Sequence, residues 1–353
     1  MPLALSAQRV DLDKFKFTSQ FRQLPLTQLD TSYHTYQVSI ETTRLMQGYL
    51  DDLASEKTVE VEGWKQLDRQ AHLLIRVKLE DLLPESVNVS EREEIIRDRS
   101  GKETGRRKLY SQQVTYTFAA FADVEDYRGA HIRKIVLADR DRKQIYRSPE
   151  FAIKAMADGY FMINSLTVTR DLFRTCATRA LRYLSERATE EFGFGTTTVT
   201  EHMWIVGNKK HPEYQAHRQA FLTMSEVLFN LRADKPLGDA LQQLEPAIKY
   251  FESIKRKYPS TSKHDRKIRY ASYYNLAVMY YYLDDPQSMQ REASALVLND
   301  FDARDGKNLE AGAQRLKQRM LDANRTTRHF AIDTTHFQGP RANAAMAVST
   351  GSD

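Results

Sequence analysis

The stretch KIRYASYYNLAVMYYYLDDPQSMQREASALVLN, Lys267 to Asn299, constrains the fold of this chain more than any other. It places six tyrosines within thirteen residues, Tyr270 to Tyr282, breaks at Leu-Asp-Asp-Pro, and resumes with a second apolar-periodic run. The spacing predicts two antiparallel helices joined by a short turn, with Pro286 opening the second. Proline suits that position because the N–H it lacks would be unpaired there anyway. Such a hairpin is too small to bury its own apolar faces, so it has to stack on neighbours.

The flanking sequence supplies them. Tyr214, His217, Phe221, Met224, Leu228 and Leu231 step by three and four, and Leu237, Leu241, Leu244, Ile248, Phe251 and Tyr258 do the same. Pro246 kinks or divides that second run. Leu309, Leu316 and Met320 mark a further helix.

Upstream, residues 10 to 206 read as α+β. Tyr36, Val38 and Ile40 alternate as in a strand, and Leu45, Tyr49, Leu50 and Leu53 fall at helical spacing. His72 to Leu82 is a strand with Leu73, Ile75, Val77 and Leu79 on one face, and Gln113 to Val124 reads as one long strand. Ile132 to Leu137 pairs plausibly with Gln144 to Tyr146 across the turn between them. Glu91 to Lys108 carries twelve ionised residues in eighteen, either a solvated hairpin tip or a contact arm. Thr167 to Phe192 predicts a helix with a wide apolar stripe, covering a sheet or lying on a membrane surface, with Cys176 as an inert core thiol on that stripe. Thr196 to Val206 is a last strand.

The expected class is α+β, a mainly antiparallel sheet with covering helices followed by an all-α hairpin array. The expected division is a signal remnant or disordered start at 1–9, an α+β domain at 10–208, a helical domain at 209–328 and an extended, mostly disordered tail at 329–353.

Composition narrows the function. With 52 basic and 47 acidic residues, the net charge of +5 tolerates anionic partners without requiring nucleic acid. Basic residues alternate with acids rather than clustering with aromatics, so no nucleic-acid partner is expected. One cysteine excludes an intrachain disulfide framework and a cysteine-based zinc site. No apolar run approaches the eighteen residues of a membrane-spanning helix. The sequence has no glycine-rich phosphate loop, HExxH or GxSxG, and Gly193-Phe194-Gly195 follows a helix as a stop signal, so no cofactor is expected. DFDARDG, Asp300 to Gly306, lacks the closing Glu of a calcium loop and reads as helix-capping aspartates. His202, His211 and His217 form the one histidine cluster. The last two are six apart, off a common helical face, and a metal site would need Glu201 or Glu213 to converge with them by folding. No metal is expected, and these histidines are the weaker alternative site.

Ala247, Phe251, Ile254 and Pro259 resemble the second-helix pattern of tetratricopeptide repeats, and Leu276, Ala277 and Tyr280 match that family's first-helix pattern. The next helix departs from it, with Met289 and Ala293 at the small and aromatic positions, and the hairpins are about 42 residues apart rather than about 34. The resemblance implies a concave surface for a protein or peptide partner, lined here by Tyr274, Asn275, Val278 and Tyr281. Asn275 stands where an Asn of that family often holds peptide backbone or carboxylate. The other reading of these tyrosines is packing between hairpins.

The N-terminal half, with a helix before Gly63-Trp64 and then His72 to Leu82, is similar to small α+β domains of bacterial envelope lipoproteins, including those related to the curli-export and TolB N-terminal families. The whole layout also resembles exported proteins of the Bacteroidota, and Met1 to Gln8 reads as the end of a trimmed export signal. These resemblances imply a non-enzymatic scaffold or assembly protein, periplasmic or otherwise exported, that grips a protein partner. The alternatives are a cytoplasmic location, and an envelope hydrolase or glycan-binding enzyme with its site between the domains and built on the histidines. Self-assembly through exposed strands of the first domain is a third reading.

Overall fold

Ten strands and seven helices make up the described residues, 10–51 and 59–340, of the computed structural model. In chain order they are β1 (Leu12–Arg22), β2 (Thr35–Thr42), α1 (Gln47–Asp51), β3 (Lys65–Gln66), β4 (Leu73–Leu79), β5 (Leu83–Arg97), β6 (Glu103–Thr117), β7 (Ala120–Asp126), β8 (His131–Ala138) and β9 (Gln144–Arg147). Then come α2 (Lys154–Phe192), β10 (Thr196–Val206), α3 (Tyr214–Asn230), α4 (Ala240–Lys257), α5 (Lys263–Tyr282), α6 (Pro286–Asn299) and α7 (Ala303–Asp322). The class is α+β, with strands early and helices late. The expected signal remnant, Leu53 and residues 341–353 lie outside the described residues.

The chain forms two compact units, 10–32 with 189–335, and 33–188 with 336–340. The expected boundary at 208/209 is therefore corrected: β1 and β10 belong with the helices. They pair antiparallel from Leu12↔Val206 to Arg22↔Thr196. One face of this ribbon carries Phe15, Phe17 and Phe21 beside Met203 and Ile205, and these pack into one core with Phe221, Met224 and Leu228 of α3, Leu244 and Phe251 of α4, and Leu276 of α5. A two-stranded ribbon is marginal alone, and this aromatic face is what fixes it to the helices.

In the helical part each helix packs on the next, and α5 also meets α7. Pro286 opens α6 with Asp285 as cap, its carboxylate accepting from Ser288 N at 2.9 Å. Pro246 lies inside α4, which continues through it as a single element to Lys257. Asp300 closes α6 in the left-handed conformation and Asp302 caps α7, so the DFDARDG aspartates are helix-end residues. The expected tail starts too early: His329 is 1% and Arg328 3% exposed, because the segment after α7 returns to the core.

In the other unit, β3-β2-β4-β7-β8 form one sheet and β5-β6-β9 another. β2 runs parallel to β3 and β4, since the connection through α1 is long enough for a crossover, and the remaining pairings are antiparallel. The expected strand Gln113 to Val124 breaks at Phe118-Ala119, where the chain leaves the three-stranded sheet for the five-stranded one. The expected pairing of Ile132–Leu137 with Gln144–Tyr146 does not occur. β8 folds back on β7 through a turn in which Gly129 takes a positive φ of 85° and Asp126 accepts from Arg128 N and Ala130 N, while β9 pairs with β6. The charged run is the β5–β6 hairpin, with Lys108–Glu91 and Arg106–Glu93 ion pairs along it, all four side chains well exposed.

Candidate functional site

Helix α5 carries all four residues expected to hold a partner, and the ribbon lies against it. Asn275 is fully buried. Its Nδ2 donates to Trp204 O at 2.8 Å and its Oδ1 accepts from Trp204 N at 2.9 Å. Those Trp204 groups lie on the edge of β10 that faces away from β1, so one side-chain amide does the work of a neighbouring strand and closes an edge that would otherwise be open. The residue expected to grip a partner's backbone grips the backbone of its own chain.

Tyr274 is partly buried. Its ring stacks on His202 at 5.7 Å between centroids, and Trp204 meets it edge-on at 6.4 Å. Lys14 Nζ sits 4.9 Å above the Trp204 ring. Burial, with the Glu201 and Asp305 carboxylates nearby, pushes the Tyr274 phenol up to about 12. Burial and the Lys14 charge lower the His202 pKa. Both groups are thus neutral near pH 7. Val278 is buried in the same core as Phe17, whose ring meets Tyr282 edge-on at 5.3 Å. Of the four expected residues, Asn275 and Val278 are interior, Tyr274 is partly covered by His202 and Trp204, and Tyr281 borders an open cleft.

That cleft, of about 150 Å³, is lined by Phe21, Gln23, Leu24, Tyr281, Gly312, Arg315, Leu316, Arg319 and Arg328. It lies where β1 ends at Arg22 and α7 continues. Arg315 and Arg319 stand one turn apart on α7, the first exposed and the second partly so. No acidic side chain is among the lining residues. Arg328 is already committed: its guanidinium lies 4.1 Å from the Phe21 centroid and 4.4 Å from that of Tyr281, and Nε pairs with Asp284.

Asp284 anchors this end of the site; sequence reasoning read it only as one of the paired turn carboxylates Asp284-Asp285, with a capping role, and did not single out Arg328 or His329. Asp284 follows Leu283, the C-cap of α5, with a positive φ of 58°. Its carboxylate accepts from the Thr327 hydroxyl at 2.8 Å, from the main-chain N and Nε of Arg328, and from His329 Nδ1 at 3.0 Å. Burial raises the Asp284 pKa, but the hydrogen bond from His329 and the Arg328 charge outweigh it and hold the carboxyl at about 2. His329 Nε2 lies 3.1 Å from Gln20 O of β1. The signal in the sequence is the surplus aspartate in Leu-Asp-Asp-Pro: Asp285 suffices to cap α6, leaving Asp284 for another task.

The histidines divide. His202 is on β10, its Nδ1 3.9 Å from the Glu201 carboxylate. His211, Glu213 and His217 are all buried, and it is the main-chain N of Glu213, not its carboxylate, that bonds His211, donating to Nδ1 at 3.1 Å. Glu213 Oε1 accepts from Lys257 Nζ and from the Tyr258 hydroxyl at 3.0 Å, and Oε2 accepts from the Tyr250 hydroxyl at 3.0 Å. Burial raises the Glu213 pKa, but these donors together bring it below its ordinary value. His217 is wholly buried, edge-on to Phe251 at 5.0 Å between centroids, with neither ring nitrogen hydrogen-bonded, and burial lowers its pKa to about 3. Among the described residues, no three His, Cys, Asp or Glu side chains are arranged to hold a metal ion. Nor is any described helix long and apolar enough to cross a membrane. No protein-family model matches the sequence, and no curated protein does.

Proposed function

We propose that the chain is a non-enzymatic interaction or assembly protein of a bacterial envelope, and that a partner segment docks at the uncovered end of the helical face. Tyr281, Leu24 and Leu316 would take its apolar side chains, and Arg315 and Arg319 its acidic groups. The observation that carries this reading is the cleft in which two guanidiniums stand together with no acid among the lining residues. Like charges one helical turn apart disfavour a helix by about 0.2–0.5 kcal/mol, a cost that a bound carboxylate relieves. Arginine suits the task because its planar fork meets a carboxylate with two parallel hydrogen bonds.

The partner role thereby moves from Tyr274, Asn275 and Val278 to Tyr281 and the face of α7. The hydrolase or glycan-binding reading requires a histidine and a carboxylate together in an open cleft, whereas His211, His217 and Glu213 are buried, and His202, 3.9 Å from Glu201, has its ring stacked on Tyr274. The envelope placement is supported by the N-terminal sequence resemblance, and fractionation of the native organism tests it. The binding claim is tested by affinity capture with wild type and Arg315→Glu/Arg319→Glu, each first checked for an unchanged Tm. A partner held by wild type and lost with the variant is the expected result. A partner retained by the variant contradicts the assignment.

A further inference from the structure

The first half of α2 leaves large apolar side chains in solvent. Met156, Met162, Ile163 and Leu166 are 56%, 79%, 79% and 77% exposed. At about 100° per residue these four and Gly159 fall on one side of the helix. The opposite side is turned inward: Ala157 and Val168 are buried, Gln112 Nε2 donates to Asp158 O at 2.8 Å, and Phe161 N donates to Gln112 Oε1 at 2.5 Å. Further along, the side that is bare at the start becomes the buried one, with Phe173, Cys176, Ala177, Ala180 and Leu184. The apolar stripe therefore runs the length of the helix and is covered over its second half only.

Two further features say what fits the bare half. Gly159 sits in its middle, where an added Cβ would meet nothing nearer than Ile163 Cδ1 at 3.7 Å. A glycine disfavours a helix interior, and its use here is to let a second backbone come close. The only ionised side chains from 151 to 169 are Lys154 and Asp158, which pair with each other at 2.8 Å. The stripe is thus neutral and meets itself without repulsion.

We propose that this stripe is a homodimer contact in which α2 packs antiparallel on α2 of a second copy, centred between Gly159 and Ile163. A parallel pair would bring the two Arg170 side chains together at the end of the stripe; the antiparallel pair sends them to opposite ends. The four exposed side chains offer about 500 Å² per copy, a large share of the about 800 Å² per side of a standard interface. A bare apolar surface of that size is otherwise an aggregation hazard.

The test is sedimentation equilibrium of the full chain across the micromolar range, for wild type and for Ile163→Lys/Leu166→Lys. Both positions are exposed, and an unchanged circular dichroism spectrum establishes that the variant is folded. The expected result is twice the chain mass for wild type and the chain mass for the variant. Met162→Cys should also form a disulfide-linked dimer on mild oxidation, since the one native thiol, Cys176, is buried. A wild type that stays at the chain mass overturns the proposal, as does a variant that keeps the doubled mass, which would place assembly on another surface such as β5. Monomeric wild type that sediments with phosphatidylcholine–phosphatidylglycerol vesicles also overturns it, because the stripe would then face lipid.

Discussion

Asn275 makes two hydrogen bonds through one side-chain amide, as donor to Trp204 O and as acceptor for Trp204 N. Asn275→Ala leaves both part-buried main-chain groups unpaired, at about 1–3 kcal/mol each, so a loss of about 2–6 kcal/mol is expected in urea unfolding. Asn275→Asp loses the donor and buries a charge, and is expected to be worse. His217 and Asp284 set the acid limit of the unit that contains them. His217 is held neutral, with a folded pKa of about 3 against an ordinary 6.5, so stability is full above about 6.5 and falls as pH drops toward 3. Asp284 has a folded pKa of about 2 against 3.8, and its contribution is present above 3.8 and lost as pH falls through 2. His217→Phe removes two unpaired ring nitrogens at similar volume. It is expected to be neutral or stabilising at pH 7 and to flatten the decline between 6.5 and 3, as read by chemical denaturation at several pH values. At this scale the apolar seam with His217 was legible in the spacing; Asn275 was marked by the tetratricopeptide resemblance alone, as a partner contact. What Asn275 bonds to was not legible, because Trp204 lies 71 residues away in sequence and only folding brings them together.

Helix boundaries follow from the same limit on what spacing can reveal. The second half of α2 has one buried side and reads clearly from Thr167 onward. Its first half buries the opposite side as well, with Ala157 and Val168, so apolar residues on both sides of the helix there mask the stripe that Met162, Ile163 and Leu166 continue. The helix therefore starts at Lys154, thirteen residues before the periodicity predicts. Close packing between α6 and α7 is equally silent in the sequence. A Cβ on Gly306 would come within 2.6 Å of Val297 Cγ2 and 2.9 Å of Val297 N, the second of these main chain. Gly306→Ala is thus expected to destabilise by about 1–3 kcal/mol through overpacking, although alanine is the better helix former. A thermal melt checks the sign, and an increase in Tm would contradict the packing.

Over the whole molecule, the α+β class and the run of helices after residue 210 could be read from the pattern, while the division into units could not. A strand at 12–22 and another at 196–206 look like parts of a sheet that begins and ends the first half. They form instead a two-stranded ribbon whose aromatic face is completed by α3, α4 and α5, a match of surfaces that neither strand's alternation encodes. The helical face that the tetratricopeptide resemblance would offer to a partner is therefore occupied from within as far as Arg22, and the cleft beside Tyr281, Arg315 and Arg319 stays open. Hydrogen exchange at the Trp204 amide, in wild type and in Asn275→Ala, tests this most directly. The account predicts that exchange of this amide in wild type requires unfolding of its whole unit, and that the substitution speeds it by at least about tenfold, the equivalent of about 1.4 kcal/mol. A Trp204 amide that exchanges as fast in wild type as in the variant would mean that the ribbon does not hold this face.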